Sequence, residues 1–279
     1  MATTATNLRP PTHRQYADIP AVNFSTLREA AKSALHYQYR LSNPPEETAA
    51  MRFGRAVHTA VLEPDRFPLE YVVYQNGRRA GKDWDEFSAM HAQQTILKLD
   101  EYETALRIRD AVRANKAARR YLRHGRPEVT LTWTDAETGL ACKARCDWLT
   151  TKLGLDLKTT GDIEARTFGR LAHHFLYHCQ LAFYGMGARA NGMRLAWKII
   201  AVEAQAPHDV AVFDLGADVL CAGEDKVREL LRLVAACRTS KKWPGRYAEE
   251  QPLDLPSWAF PENDDEIVMM GLAPAGGTR

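Results

Sequence analysis

Two acidic residues and a lysine in the middle of the chain carry the clearest chemical signal. Residues 154–160 have the sequence Gly-Leu-Asp-Leu-Lys-Thr-Thr, which is typical of a short strand. Side chains alternate between the two faces of a strand, so Asp156 and Lys158 project together while Leu155 and Leu157 face a core. An acid and an amine are therefore predicted to share one pocket, although a routine surface Asp–Lys pair would give the same pattern.

A second carboxylate, Asp147, lies upstream near the end of the preceding predicted strand. A hairpin turn between the two strands brings Asp147 beside Asp156 if the register is right. Two carboxylates that close repel each other unless a cation lies between them. Mg²⁺ or Mn²⁺ would supply that charge and activate water against a phosphodiester. Lys158 would orient the water or stabilise the charge that develops on the phosphate.

The helix predicted for residues 165–190 adds a polar face that suits the wall of such a site. An apolar and a polar stripe fall on roughly opposite sides of this helix. The apolar stripe consists of Phe168, Leu171, Phe175, Cys179, Ala182 and Met186, and the polar stripe of His173, Tyr177, Gln180 and Tyr184. The polar stripe would hydrogen-bond water or phosphate, or it would be the exposed face of an amphipathic helix. His174 and His178 have the spacing of a zinc-binding pair, but no adjacent glutamate or third ligand accompanies them.

The surrounding segments predict an α/β protein with a helical first half. A helix is predicted over 27–41, with Ser25 as its N-cap, and a second helix over 46–62. A short strand is predicted over 71–74, and a helical region from beyond Trp84 to about His124. Three consecutive antiparallel strands are predicted over 128–133, 141–149 and 155–158, and the helix at 165–190 is followed by strands at 195–204 and 210–214 and a helix at 217–237.

This pattern predicts one folded domain between two weakly ordered ends. Residues 1–20 are interpreted as a flexible arm, and residues 246–279 as an acidic, proline-rich tail. The single domain spans 21–245, with a helical part over 21–125 and the sheet and its helices over 126–245.

The bulk composition indicates a cytosolic globular protein. The chain has 279 residues, of which 45% are hydrophobic, enough for a real core. No apolar run approaches the roughly 20 residues of a membrane span, and the first residues are unlike a signal peptide, so no membrane partner is expected. The five cysteines are an odd number at spacings that fit neither a disulfide framework nor a CxxC zinc clamp, which predicts reduced thiols.

Net charge is only +2, because 37 basic residues are balanced by 35 acidic ones, so any contact with nucleic acid must be local. One basic run stands out and consists of Arg107, Arg109, Arg113, Lys116, Arg119, Arg120, Arg123 and Arg126. Its central members, Arg113, Lys116, Arg119 and Arg120, are the candidate contacts to a DNA backbone. Such a density of basic groups is expected to lack a counter-charge unless it contacts phosphate, and the alternative is a solvated helix face.

Several motifs, in order, resemble the RecE (exonuclease VIII) branch of the PD-(D/E)XK nucleases. In the second half these are Glu128, Cys-Lys-Ala-Arg-Cys-Asp-Trp-Leu at 142–149, Asp-Leu-Lys-Thr-Thr at 156–160 and Tyr-His-Cys-Gln-Leu-Ala-Phe-Tyr at 177–184. In the first half Phe24-Ser25, His-Tyr-Gln-Tyr-Arg-Leu-Ser-Asn-Pro at 36–44 and Phe-Gly-Arg-Ala-Val-His-Thr-Ala-Val-Leu-Glu-Pro at 53–64 resemble that family's N-terminal helices. The resemblance covers about residues 16–240.

The resemblance implies a role for each matched residue. Asp147 and Asp156 would bind the catalytic metal, the Leu157 carbonyl would be a further ligand, and Lys158 would be the catalytic lysine. His58 matches a helix histidine at the metal site, Glu128 matches a further ligand, and Gln180 and Tyr184 match a Gln-xxx-Tyr motif near the phosphate. Cys146 departs from the superfamily pattern, which has proline before the first aspartate.

The implied protein has a PD-(D/E)XK core, a mixed central sheet flanked by helices, and uses Mg²⁺, or Mn²⁺ in its place, to resect double-stranded DNA from 5′ ends. The resemblance also implies a ring-like trimer or tetramer and a RecT-like single-strand annealing protein as partner, in a phage or prophage recombination system. One alternative is a Cas4-like or AddB-like iron–sulfur nuclease, which needs four placed cysteines that this sequence lacks. The other is a catalytically inert DNA-binding module that retains the fold.

Overall fold

The structure is a computed structural model that describes residues 13–75, 77–256 and 259. In this part of the chain the helices are α1 (His13–Ala17), α2 (Phe24–Leu27), α3 (Ala34–Ser42), α4 (Ala49–Leu62), α5 (Phe67–Glu70), α6 (Lys82–Met90), α7 (Leu99–Ala114), α8 (Lys116–Tyr121), α9 (Ala165–His174), α10 (Tyr177–Ala190) and α11 (Ala217–Ser240), with a 3₁₀ helix at Arg28–Ala31. The strands are β1 (Tyr71–Val73), β2 (Thr95–Leu97), β3 (Arg126–Thr134), β4 (Ala141–Leu149), β5 (Leu153–Thr160), β6 (Ala196–Glu203) and β7 (Val210–Asp214).

Five strands form the main sheet in the order β3-β4-β5-β6-β7. β3, β4 and β5 are consecutive antiparallel neighbours, β5 and β6 run parallel, and β7 returns antiparallel to β6. The parallel pair is connected through α9 and α10, because parallel strands need a long crossover. β1 and β2 form a separate parallel pair. The predicted mixed sheet and its run of three antiparallel strands are therefore confirmed.

Helices cover both faces of the main sheet, and each face has its own apolar core. On one face, Phe183 of α10 and Leu230 of α11 pack in the cluster that contains Ile199. On the other face, Val57 of α4 packs in the cluster that contains Leu157. Full burial of one such side chain contributes about 1.5–3 kcal/mol. The two cores hold the sheet between helical layers and leave the polar face of β5 directed at α10.

The prediction of one continuous helix over 165–190 is wrong, because the chain forms two helices there, α9 and α10. Leu176 between them has a left-handed conformation, with φ 59° and ψ 37°. A residue in that region cannot continue a right-handed helix. The predicted apolar stripe therefore does not continue through the break, and Phe175 is 44% exposed.

Other differences concern helix starts in the first half. Asn23, and not Ser25, caps α2, because its extended backbone lets its side chain accept the Thr26 N–H at 2.9 Å. Ser33 adopts an extended backbone and caps α3, which interrupts the helix predicted over 27–41. The helical region predicted beyond Trp84 is interrupted by β2.

Residues 13–22 are held against β4. Lys143 is buried, with 3% of the residue exposed. Its ammonium donates to the carbonyls of Tyr16, Ala17 and Ile19 at 2.7–3.0 Å. Val22 forms a parallel bridge to β4. The described part of the segment predicted as a flexible arm is thus anchored, whereas residues 1–12 lie outside the described residues.

The chain divides between Arg246 and Tyr247 into two compact units. The first contains all the helices and strands given above. Much of the predicted tail lies outside the described residues, and the domain boundaries remain predictions. Within the described chain, no helix has the length and apolar character needed to span a bilayer.

Candidate active site

The candidate site forms where β4 and β5 separate. Their antiparallel ladder ends at the pair Trp148–Leu155, and the next pair in this register is Asp147 opposite Asp156. The Asp147 side chain bridges the strands at that point, because its Oδ2 accepts a 2.8 Å hydrogen bond from the backbone N–H of Leu157. The register is therefore the one that brings the two aspartates to the same place in the sheet.

Glu128 extends this row of carboxylates onto β3. Its neighbours pair with the residues on either side of Asp147, so the register places Glu128 opposite Asp147. Glu128 has a positive φ of 54°. Such strain costs a non-glycine residue on the order of 1 kcal/mol and concentrates at functional sites. Arg145, two residues before Asp147 on β4, forms an ion pair with the Glu128 carboxylate and fixes it in this position.

Asp156 and Lys158 lie on one face of β5, as strand alternation predicts, and meet α10. Lys158 Nζ is 2.6 Å from Asp156 Oδ2 and donates to Gln180 Oε1 at 3.1 Å. Gln180 Nε2 donates to Asp156 Oδ1 at 3.2 Å and to the Tyr184 hydroxyl at 2.9 Å. The Tyr177 ring lies 4.7 Å from Lys158 Nζ in a cation–π contact. The polar stripe predicted for this helix contributes three of its members to one network.

His58 reaches the site from α4, on the opposite face of the sheet. Its Nδ1 is 3.5 Å from Asp147 Oδ2. One ligand atom each of His58, Glu128 and Asp147 lies within 4.8 Å of the others. Two carboxylates and an imidazole suit a divalent cation. This group differs from the predicted Asp147–Asp156 pair, because Asp156 is engaged by Lys158.

Burial and crowded negative charge shift the pKa values at the site. Burial, followed by the Asp156 charge, raises the pKa of the Asp147 carboxyl to about 8. Burial, followed by the Asp147 charge, raises the pKa of Glu128. Burial lowers the pKa of His58, so its imidazole is neutral and able to bind metal. Burial alone would lower the pKa of Lys158, but the Asp156 and Asp147 charges outweigh it and raise that pKa.

A divalent cation fits these observations. Oδ2 of Asp156 is buried and contacts the Lys158 ammonium, but it accepts no well-directed hydrogen bond within the described chain. Asp147 and Glu128 both have raised pKa values because burial and the neighbouring carboxylates outweigh the nearby cations Arg145 and Lys158. A cation beside these oxygens would satisfy both requirements. His58, Glu128 and Asp147 would be its ligands, and the Asp156 carboxylate would lie beside them.

A cavity of about 430 Å³ opens onto this group. Its wall also includes Tyr16 from the N-terminal segment and the arginines Arg55, Arg66 and Arg145. Each arginine is paired with a glutamate, and the lining carries more carboxylates than arginines. A larger cavity of about 730 Å³ lies between α10, β6 and α11, and none of the candidate residues lines it. The candidate metal ligands His58, Glu128 and Asp147 therefore line the smaller cavity.

The candidate DNA contacts lie at the end of α7 and on α8. Arg113, Lys116, Arg119 and Arg120 are all exposed. Arg113 and Arg119 line a cavity of about 420 Å³ together with Trp148, the residue that follows Asp147 in β4. The basic run thus extends to the neighbourhood of the site.

The expectation that this run lacks counter-charges is wrong at its start. Arg107 pairs with Glu103 at 3.5 Å and Arg109 with Asp110 at 2.8 Å. Within the described chain, Arg119 forms no ion pair. The central members of the run are the ones left free to contact a phosphate.

Sequence analysis missed one residue of the site, and the structure decides two further points. Arg145 was not assigned a role, although its position two residues before Asp147 on one strand places both side chains on the same face. Cys146 does not disturb the strand, because β4 continues through it and the residue is buried. The alternative of a zinc pair fails for His178, which stacks on His173 and belongs to no ligand group in the described chain.

The fold and this arrangement define a member of the PD-(D/E)XK superfamily, as predicted. The chain belongs to the family described as "PDDEXK-like domain of unknown function (DUF3799)", which matches residues 23–251. The fold is similar to that of a crystal structure from Eubacterium rectale whose protein is provisionally described as an exonuclease, with a TM-score of 0.59 and 15% identity over 88% of this chain and 97% of the other. At that identity the likeness shows the fold alone. No curated protein matches the sequence.

Proposed function

We propose that this protein is a Mg²⁺-dependent exodeoxyribonuclease that hydrolyses linear double-stranded DNA. The observation that carries the proposal is the convergence of Asp147, Asp156 and Lys158 where two strands of a PD-(D/E)XK sheet separate. Carboxylates that can bind a metal, next to an ammonium that can reach a phosphate, are the groups that phosphodiester hydrolysis requires.

The metal would be bound by His58, Glu128 and Asp147, and the Leu157 carbonyl would be a further ligand. When bound, Mg²⁺ supplies Lewis acidity and the positive charge that offsets carboxylates and phosphate. Arg145 keeps the Glu128 carboxylate beside Asp147 through its ion pair. The chain thereby presents its ligands in a fixed arrangement before substrate binds.

Lys158 supplies the cationic donor on the other side of the carboxylates. Its raised pKa keeps it an ammonium, which donates to the attacking water or to a phosphate oxygen as negative charge develops. Gln180 holds both Lys158 and Asp156 through its amide, and Tyr184 in turn accepts from Gln180. These contacts keep the ammonium aimed at the place where the phosphate must lie.

The test is a digest of linear and circular duplexes, labelled at either end, in Mg²⁺ and in EDTA. The wild type should degrade linear DNA only with Mg²⁺ and should spare the circle. Asp156→Asn should be inactive. A matched control is Asp214→Asn, because Asp214 also pairs with a lysine, Lys198, but lies at the sheet edge and is 65% exposed. Activity of Asp156→Asn equal to that of the wild type, or degradation in EDTA, would overturn the proposal.

We also propose the RecE branch of the superfamily, from the motifs at 36–44, 53–64 and 177–184. The corresponding biology is 5′-to-3′ resection of double-stranded DNA ends for phage-type recombination, in the bacterial cytoplasm, with a RecT-like single-strand annealing protein and a ring-like oligomer of this chain. The end labels measure polarity, and light scattering after size exclusion measures the oligomer.

The alternatives give different results in the same experiments. Cleavage of the circular duplex would indicate an endonuclease. An iron–sulfur nuclease would be brown after anaerobic purification, although Cys142, Cys146 and Cys179 are buried in one apolar cluster. A protein that binds linear DNA but never cleaves it would be an inert binding module.

A further inference from the structure

A strip of aromatic and basic side chains borders the candidate site on the side of α9 and α10. It consists of Arg28 and Lys32 from the 3₁₀ region and His174, Phe175 and Tyr177 from the α9–α10 junction, and we refer to these five residues as the junction strip. A groove of about 490 Å³ is lined by Arg28, Lys32, His174 and Phe175. The catalytic network uses only Tyr177 from this set.

The backbone at the junction is strained in a way that exposes an aromatic ring. Leu176 has a φ of 59°, which is costly for a residue with a branched side chain. A continuous helix would place Phe175 in the apolar stripe, but after this break it is 44% exposed. The exposed ring lines the groove beside the candidate site. The break thus leaves part of this ring accessible at the groove.

The aromatic rings connect this exposed ring to the candidate catalytic lysine. Phe175 and Tyr177 are stacked, with centroids 5.7 Å apart and planes at 24°. Tyr177 in turn lies under Lys158 Nζ at 4.7 Å. His174 meets Phe175 edge-on at 4.8 Å. A strand whose phosphate lay at Lys158 would therefore have its next bases within reach of aromatic faces.

The charges along the groove favour a nucleic-acid backbone. Glu29 lies between the cations, but its side chain is only 7% exposed, while those of Arg28 and Lys32 are 44% and 56% exposed. The carboxylate is thus buried under the cations and leaves positive charge at the surface. Interleaved cations and aromatic rings are the combination with which proteins bind single-stranded nucleic acid.

We propose that the junction strip binds unpaired nucleotides of a DNA strand at the active site, with a base stacked on Phe175 and the backbone phosphates at Arg28 and Lys32. This inference deepens the proposed nuclease function and rests on it. The occupant is single-stranded because a base inside a duplex has both faces stacked on its neighbours and none left for a protein ring. The strip would separate or receive the strand end next to Lys158.

The test compares two probes with the same phosphates, an oligothymidylate of about 12 nucleotides and an abasic oligonucleotide of equal length. Binding is measured in Ca²⁺, which should occupy oxygen-rich sites without supporting efficient cleavage. Phe175→Ala should weaken oligothymidylate binding about 5-fold or more, the value of one lost stacking contact, and leave abasic binding unchanged. Phe175→Trp should bind oligothymidylate more tightly than the wild type. Tyr39→Ala, which removes a 68% exposed ring outside the strip, is the control.

Arg28→Ala/Lys32→Ala should weaken both probes and lower the salt slope of binding by about 1.4, two single-strand phosphate contacts. Lys82→Ala, which removes an 87% exposed lysine elsewhere, should change neither. Equal discrimination between the two probes in wild type and Phe175→Ala, with no gain in Phe175→Trp, would overturn the inference. The outcome is separable from the proposed function. Cleavage of linear duplex with unchanged binding in Phe175→Ala refutes the strip alone, whereas base-dependent binding without any cleavage refutes the nuclease and keeps the strip.

Discussion

Among single residues, Asp156 and Lys158 form a buried ion pair whose side chains are 1% and 18% exposed. Removing one partner of a buried pair leaves an uncompensated charge, which typically costs about 3–5 kcal/mol. We therefore expect Lys158→Ala to abolish hydrolysis and also to lower the unfolding temperature of the metal-free protein. The double variant Lys158→Ala/Asp156→Asn should regain stability and stay inactive. Melting curves and DNA digests on the same preparations measure both, and an active Lys158→Ala would contradict the role given to the ammonium.

Asp147→Asn tests the metal group through stability. A carboxyl whose pKa is raised on folding stabilises the fold below its unfolded pKa, near about 3.9, and that contribution is lost as pH rises through the folded pKa of about 8. In EDTA the wild type should therefore lose stability between about pH 4 and 8, a window that extends beyond the usual range of histidine on both sides. The asparagine variant has no charge to bury and should lose less. Mn²⁺ should raise the unfolding temperature of the wild type only. Equal pH slopes in both proteins would assign the shift to other groups.

The sequence predicts part of this site because part of it depends on local geometry. Strand alternation is sufficient to place Asp156 and Lys158 on one face. The positive φ of Glu128 and its ion pair with Arg145 depend on the register between β3 and β4, which no local pattern contains. The approach of His58 to Asp147 joins distant segments of the chain, and only the family resemblance indicated it.

Among the elements, the separation of β4 and β5 is the feature that the rest of the fold supports. At the start of β4, which β5 does not pair with, the Val22 N–H donates to the Ala141 carbonyl at 2.8 Å, and the Lys143 N–H donates to the Val22 carbonyl at 2.7 Å. The N-terminal segment thus satisfies backbone groups that the missing strand pairing leaves open. The polar, proline-containing composition of this segment predicted flexibility. The pairing that anchors it was not predicted, because the partner strand lies more than a hundred residues away. The break at Leu176 was missed for a related reason, since the residue is not a glycine or proline.

Two helical glycines allow the packing of α10 to be tested. An ideal Cβ on Gly223 of α11 would lie 2.6 Å from the His178 carbonyl oxygen of α10, whereas one on Gly169 of α9 has no neighbour within 4 Å. Gly223→Ala should therefore push α10 away, lower the free energy of unfolding by about 1–3 kcal/mol, and reduce activity because α10 carries Gln180. Gly169→Ala should raise stability by about 0.5–1 kcal/mol. Urea unfolding of both variants decides the point, and equal stability of the two would show that α10 and α11 are not in such close contact.

At the scale of the whole molecule, a net charge of +2 leaves no general field to attract DNA, so the substrate must be guided by local surfaces. The central basic run lies beside Trp148 at the end of β4, and the junction strip borders Lys158 on β5. A duplex needs phosphate contacts that are independent of sequence, which suits guanidinium groups, whereas unpaired bases need aromatic faces. The two surfaces are therefore expected to contact different forms of the same substrate.

Arg119→Ala/Arg120→Ala tests the duplex side of this division. Each phosphate contact that is removed lowers the slope of log affinity against log salt by about 0.9 for a duplex, so the double variant should lose about 1.8. Alanine preserves the helix, and Arg120 otherwise contacts only its neighbour Tyr121 within the described chain. Arg107→Ala is the matched control, because Arg107 is already paired with Glu103 and should not change the slope. Binding is measured in Ca²⁺ with a linear duplex over a range of salt concentrations. An unchanged slope in the double variant would make these arginines a solvated helix face, and the duplex would then have to approach the site across another surface.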